Sequence, residues 1–281
     1  MEFPIEKIRN QQKETWNKFS PGWKKWDGLA MEFIKPMGDE IIKYLNPTDG
    51  ETILDVAAGT GEPGLTIAAM IPNGKVLITD LAEGMLEVAR ENTMRRGAMN
   101  VEILACDAGD MPFEDNTFNG VSCRFGFMFF PDMLLAATEM ARVLKPGGRV
   151  ATTVWGASVK NLWATACMSI INKNMDIPAP PLDAPGLFRC AQSGIVMDLF
   201  KEAGLNNVTE AEVTTKLVCD TIETYWGFIT EVVAPVSAAL GKADDALKAK
   251  IKQEVFELLI QKYPDGKVSI PGSALIICGE K

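Results

Sequence analysis

An α/β fold built on a doubly wound, mainly parallel sheet is predicted by three observations. Helical and strand patterns alternate along the chain, the strand candidates are continuous apolar runs, and the first of them ends in a glycine turn. That run is Thr52-Ile53-Leu54-Asp55-Val56-Ala57-Ala58-Gly59-Thr60-Gly61. Ile53, Leu54 and Val56 fit a buried parallel strand, and Gly59 and Gly61 carry no Cβ to hold the backbone away from a ligand.

Taken in order, Glu6 to Tyr44 reads as helix, broken near Pro21-Gly22 and Pro36. After the glycine turn, Pro63 suits a first helical turn, so Glu62 to Met70 is expected to be helical with Leu65, Ile67, Ala68 and Ala69 on its buried side. Further strands are expected at Lys75 to Thr79, Val101 to Ala105, Gly120 to Cys123 and Arg149 to Val154, with helices in the gaps. The helix from Ala82 to Arg96 carries Glu91 and Arg95 as an i,i+4 pair. The helix from Asp132 to Leu144 stops at Lys145-Pro146-Gly147-Gly148, which releases the chain into the fifth strand. The chain shows no internal repeat.

At 281 residues and 47% hydrophobic content, the chain is able to bury a full core as one large domain or as a core with a lid. A net charge of −9 disfavours nucleic acid or an anionic membrane as partner, and the one concentrated basic segment, Trp23-Lys24-Lys25-Trp26, is short. Cys106, Cys123, Cys167, Cys190, Cys219 and Cys278 lie far apart without C-x-x-C spacing, which favours reduced, buried thiols and no metal. With no membrane-length apolar run and no signal-peptide core, a cytoplasmic compartment is expected. The sequence contains no histidine, which excludes a histidine base, a histidine metal ligand and Ser-His or Cys-His nucleophile pairs.

Gly59-Thr60-Gly61-Glu62-Pro63-Gly64 satisfies the dinucleotide fingerprint, which keeps a nicotinamide or flavin in contention. Asp55, just ahead of the glycines, argues against a pyrophosphate and for a cationic cofactor. S-adenosylmethionine carries a sulfonium and an ammonium, and a carboxylate beneath the loop suits the ammonium directly or through loop backbone and water.

Asp80, about 20 residues beyond the turn, ends the second strand where a carboxylate accepts from both ribose hydroxyls. A capping box, Asp80-Leu81-Ala82-Glu83, is the competing reading. Met85 suits either an adenine face or plain core. Asp107 is placed to accept from an adenine amino group, with a neighbouring backbone N–H as donor; alternatively Asp107 and Asp110 merely organise a turn before Pro112. The aromatic loop Arg124 to Asp132 follows the fourth strand, and Arg124 fits either the methionyl carboxylate or a protein carboxylate.

Residues 45 to 155 resemble the class I S-adenosylmethionine-dependent methyltransferases, in particular the ubiquinone and menaquinone biosynthesis C-methyltransferases (type 11). The likeness rests on Leu54-Asp55-Val56-Ala57-Ala58-Gly59-Thr60-Gly61, Asp80 with Met85, Asp107-Ala108 ahead of Pro112-Phe113, Arg124-Phe125-Gly126 and Val143-Leu144-Lys145-Pro146-Gly147-Gly148-Arg149. It implies cofactor contacts by Asp55, Ala57, Gly59, Gly61, Asp80, Leu81, Met85, Asp107 and Ala108. It also implies a Rossmann-like sheet of seven strands, parallel except for one, with the last two at Val208 to Thr214 and Ser269 to Cys278. Trp16 to Trp26 resembles a lid, although ordinary helix packing competes.

The resulting division has a helical lid over 1–45, a cofactor-binding core over 46–155, substrate-cap insertions over 156–189 and 219–268, and the rest of the core over 190–218 and 269–281. The first insertion contains Pro178, Pro180, Pro181 and Pro185; the second has helical stretches at Thr221 to Val233 and Asp244 to Lys262. Both leave the carboxyl ends of strands, where ligands bind in open sheets. Trp23, Phe127, Trp163 and Tyr225 are the candidate substrate contacts, apolar bodies that suit a hydrophobic or aromatic small molecule.

The expected reaction is in-line methyl transfer to carbon or oxygen. Alignment alone is able to supply roughly 7–11 kcal/mol. No catalytic residue is identified; a carboxylate, Tyr225 or ordered water is left to take a proton. A nicotinamide-dependent oxidoreductase and a non-catalytic cofactor-binding protein are the alternatives. Acceptor identity and oligomeric state are not encoded in local patterns.

Overall fold

A computed structural model describes residues 5–178, 181 and 183–281; Pro180 and the first four residues lie outside the described residues. Two helices open the chain, α1 (Ile5–Lys25) and α2 (Asp27–Leu45). Both prolines sit inside these helices, and the break falls instead at Trp26. There the indole N–H reaches across to Glu231 Oε2 at 3.1 Å, alongside an ion pair from Lys25. A tertiary contact, rather than a local breaker, sets the helix boundary.

The core alternates β1 (Thr52–Val56), α3 (Gly64–Met70), β2 (Lys75–Asp80), α4 (Glu83–Arg96), β3 (Val101–Ala105), β4 (Phe118–Arg124), α5 (Met133–Val143) and β5 (Leu144–Trp155). It continues through α6 (Leu162–Asn174), α7 (Ile195–Glu202), β6 (Asn206–Cys219), α8 (Ile222–Val232), α9 (Ala234–Leu240), α10 (Asp245–Lys262) and β7 (Val268–Glu280). The seven strands form one sheet in the order β3-β2-β1-β4-β5-β7-β6. All neighbours pair in parallel except β7, which runs antiparallel to both β5 and β6.

The apolar runs at β1 and β4 sit in the middle of this order and are almost wholly buried. The last two strands are much longer than their apolar cores suggest. β6 lies at the sheet edge and alternates buried and exposed residues from Val213 onward, so one face stays wet. Helix α3 is shorter than Glu62 to Met70 because Glu62 and Pro63 belong to the preceding turn. The expected Glu91–Arg95 pair does not form: Glu91 pairs with Lys24 and Arg95 with Asp27, both in the N-terminal segment. All six cysteines are free thiols, and only Cys106 is partly exposed.

Helices cover both faces. α2 lies across β4, β5, β6 and β7, and α5 packs with α7 against β5, β6 and β7. Helices α6, α8, α9 and α10 pack on one another as a helical cap. The cap is tied to the sheet by Asn161, a fully buried side chain. Its amide donates to the carbonyls of Gly156, Ala157 and Ser273, while its carbonyl accepts from Ser273 N at 3.0 Å and Trp163 Nε1 at 2.9 Å. Substituting Asn161→Ala strands these groups without water. The expected loss is about 3 kcal/mol of unfolding free energy, read from the urea midpoint at constant m-value.

Candidate cofactor and acceptor site

One large cavity opens at the carboxyl ends of β1, β2, β3, β4 and β5, with an empty volume of about 1380 Å³ including its mouth. The strand order reverses direction between β1 and β4, so the loops after them diverge and leave a crevice. The cavity has two chemically different ends. Asp80, Asp107, Glu62 and Arg124 gather near the strand tips, while aromatic and aliphatic side chains from β5, α2, α6, α8 and α9 line the remainder.

Local folding at the polar end starts with Asp55. Its fully buried carboxyl accepts from Gly64 N at 2.8 Å and from Ser122 Oγ at 2.7 Å. Burial pushes its pKa up to about 7, against the lowering effect of Ser122, the Gly64 amide and Arg124. Asp55 does not line the cavity. It acts beneath the loop, fixing the start of α3 against β4.

Gly59, at φ +58°, does line the cavity, and a Cβ there would meet the Met85 methyl at 3.2 Å. Gly61 does not line it; a Cβ would run into Leu65 at 2.9 Å, so this glycine serves close packing of the loop on α3. Ala57 and Phe125 hold left-handed backbone at φ 52° and 63°, and both line the cavity, a placement typical of strain stored at a site.

Asp80 accepts from Gly59 N through Oδ2 at 3.0 Å and from Ala82 N through Oδ1 at 2.9 Å. Burial raises its pKa against these amide contacts. The predicted capping box is not made. Ala82 is the N-cap of α4, without a side-chain cap bond, and Asp80 instead forms an Asx turn. Each Asp80 oxygen retains a lone pair for a diol. Leu81 and Met85 line the same wall.

Asp107 and Ala108 line the next edge. The turn reading of Asp107 is also realised, since its Oδ1 accepts from Gly109 N at 3.0 Å and it bridges to Asp110. Its Oδ2 pairs with Arg9 of α1, a residue without a sequence signal. Cys106 completes this corner, its thiol pushed up to about 11 by burial.

Arg124 is half-buried, and the burial of its guanidinium lowers its pKa against the raising influence of Glu62, Asp55, Asp27 and Asp39. The only hydrogen-bond acceptor recorded for it among the described residues is Met31 Sδ at 3.1 Å, and no carboxylate lies within ion-pair distance. A guanidinium that lines the cavity and is not ion-paired with any of its carboxylates is suited to an anionic ligand group.

The aromatic end corrects two of the four substrate candidates. Trp23 and Trp163 line the cavity. Phe127 does not; it is fully buried against Phe130 and Phe200, at ring separations of 5.2 and 5.6 Å. Tyr225 is also fully buried behind the wall, its hydroxyl donating to the Trp163 carbonyl at 2.9 Å and its pKa raised well above 10 by burial. It has neither the access nor the acidity of a base. In their place stand Phe33, stacked on Trp155 at 5.6 Å, Phe125, stacked on Trp155 at 4.2 Å, and Phe228 with the Val232 to Pro235 segment. The α2 contribution has a helical pattern indistinguishable from core packing, so no sequence signal separates it.

The sheet order with its antiparallel β7 gives a seven-stranded Rossmann-like sheet of the kind found in methyltransferase structures. Residues 29–167 match the model of the ubiE/COQ5 methyltransferase family. A demethylmenaquinone methyltransferase of Staphylococcus aureus is 39% identical over 132 residues, 45% of this chain and 54% of that relative. The chain thus spans about half the length of the relatives it matches. Among solved structures, the YcgJ protein of Bacillus subtilis superposes with a TM-score of 0.56 at 19% identity, covering 87% of this chain and 97% of that one. Phosphoethanolamine N-methyltransferase 2 of Haemonchus contortus, in complex with S-adenosyl-L-methionine, gives 0.51 at 19% identity, covering 87% and 52%.

Asp55 makes stability depend on pH. Its folded pKa of about 7 lies above the ordinary carboxylate value, so the native state binds the extra proton. This contribution is fully present below about pH 4 and is lost as pH rises through about 7. Asp55→Asn, which keeps an acceptor for Gly64 N–H, is expected to flatten that part of the urea-midpoint profile between about pH 4 and 7.

Proposed function

We propose that this chain transfers a methyl group from S-adenosylmethionine to carbon or oxygen of a hydrophobic or aromatic small molecule, in the cytoplasm. One observation carries the reading. A single cavity joins a polar end built from Asp80, Asp107 and Arg124 to an aromatic end with no charged side chain of its own. When bound, S-adenosylmethionine supplies an electrophilic methyl on a sulfonium.

The residues present fit that group. Asp80 accepts from the ribose hydroxyls, Gly59 and Ala57 admit the backbone close to it, Asp107 and Ala108 meet the adenine edge, and Met85 and Leu81 pack beside it. Arg124, without a carboxylate of its own, takes the methionyl carboxylate. Asp55 contributes through the loop it pins. Helix α1 closes this end, with Arg9 on Asp107 and Asn17 Oδ1 accepting from Gly84 N at 2.8 Å. This supports 1–45 as a lid, 46–155 as the cofactor-binding core, and the insertions 156–189 and 219–268 as the substrate cap over the remaining core strands.

The same loop fingerprint is the basis for a dehydrogenase, and ligand binding separates the two. S-adenosylmethionine and S-adenosylhomocysteine are expected to raise Tm, while NADH and FAD leave it unchanged; the reverse pattern would replace the methyltransferase with an oxidoreductase. Asp80→Ala is expected to weaken S-adenosylhomocysteine about 10- to 100-fold by calorimetry, from the loss of charge-assisted bonds worth about 1.5–3 kcal/mol. An unchanged Kd would remove Asp80 from the ribose site.

A further inference from the structure

Three rings stack in order along the cavity wall, Phe33, Trp155 and Phe125, at separations of 5.6 and 4.2 Å and interplanar angles of 21° and 16°. Phe33 and Trp155 are buried. Phe125 ends the stack. It is half-buried and lines the cavity, and among the described residues no ring besides Trp155 packs on it, so one of its faces is open.

The backbone presents this ring under constraint. Phe125 holds φ 63°, a left-handed conformation that a bulky side chain rarely adopts, while its N–H donates to the Thr153 carbonyl at 2.9 Å. The next residue, Gly126, packs so closely on the glycine-turn loop that a Cβ there would lie 2.9 Å from the Ala57 Cβ. Phe125 therefore stands directly after Arg124 and beside Ala57, where the polar end meets the aromatic one. Strain of this kind is kept where the surroundings over-determine it, and sites are where it gathers.

A sulfonium taken into this crevice loses hydration and needs compensation. The carboxylates that line the cavity are committed elsewhere. Glu62 pairs with Arg96 and accepts from Thr66, Asp107 is held by Gly109 N and Arg9, and Asp80 is held by two loop amides with its remaining lone pairs left for a diol. Only three carbons separate the methionyl carboxyl group from the sulfur, so a carboxylate anchored on Arg124 leaves the sulfonium near the ring that follows Arg124 in the chain.

We propose, resting on the methyltransferase reading, that the open face of Phe125 receives the sulfonium in a cation–π contact and so distinguishes the charged methyl donor from its neutral thioether product. A ring face is the negative side of the aromatic quadrupole and attracts a cation within about 6 Å of the centroid, most strongly where water is excluded. When an electron pair of the acceptor bonds the methyl, the S–CH3 bonding pair remains on sulfur and the charge leaves with the methyl. Phe125 then holds the product by packing alone, which favours exchange of spent cofactor for fresh.

The test is calorimetry on the full chain, without acceptor, using three ligands that share the adenosyl and amino-acid parts. S-adenosylmethionine is cationic at sulfur, sinefungin carries an ammonium on the carbon that replaces sulfur, and S-adenosylhomocysteine is neutral there. If the unsubstituted protein binds none of them, the methyltransferase reading fails and this proposal with it. Given binding, Phe125→Leu is expected to weaken S-adenosylmethionine and sinefungin about 5- to 30-fold and S-adenosylhomocysteine by less than about twofold, so the neutral ligand also reports that the site is still folded. Replacing Phe125 by pentafluorophenylalanine keeps the ring and its stacking but inverts the quadrupole, and is expected to weaken the same two ligands selectively. An equal change for all three ligands in Phe125→Leu, no change for any, or full affinity for S-adenosylmethionine in the fluorinated protein would each overturn the sulfonium contact while leaving the methyltransferase reading in place.

Discussion

A carboxyl group sealed from water at the centre of the sheet, Asp55, is the constraint from which the site is assembled. It is fully buried on β1 and has two partners, the amide that opens α3 and a hydroxyl on β4. These contacts join the central strand to the next helix and to the neighbouring strand across the reversal of strand order. Losing either partner would leave a buried polar group unsatisfied, so the loop between them has little freedom. The positive φ angles at Ala57 and Gly59 persist because both ends of that loop are fixed. Asp80 then fastens the loop's middle through Gly59 N. The polar end is rigid before any ligand arrives, which limits the ordering cost of binding.

Much of this was legible in the sequence, and the reason is local. An apolar run carrying one acid into two glycines, with a second acid at the next strand end, has few foldable interpretations, and β1 and β3 fall at their expected bounds. What could not be read is what depends on distant contacts. The break at Trp26 follows from Glu231, and the pairing of Glu91 follows from Lys24, in each case across many residues. Phe127 and Tyr225 carry the same apolar character as Trp23 and Trp163, yet one pair faces inward to core and the other to the cavity. Residue type decides that such side chains are buried. Only tertiary packing decides against what.

The cap illustrates how polar groups fix an apolar surface. Asn161 meets five backbone and side-chain partners and thereby sets where α6 leaves β5. Trp163 is held by its N–H and by the Tyr225 hydroxyl on its carbonyl, so its ring is presented to the cavity in one orientation. Phe33, Trp155 and Phe125 stack in sequence beside it. Trp163 cannot rotate into the void without breaking its bond to Asn161, and the rings of Phe33, Trp155 and Phe125 are held beside it by stacking.

Helix α1 connects the two ends of the cavity, and this coupling has a physical consequence. Arg9 meets Asp107 at the polar end, Asn17 caps the start of α4, and Trp16 and Trp23 form part of the aromatic wall. Further along, Gly22 lies so close to Glu231 of α8 that a Cβ would overlap its carbonyl. One continuous helix, α1, spans these contacts. The contacts at Asp107 and at the aromatic wall are therefore carried by one element, and each supports the placement of the other.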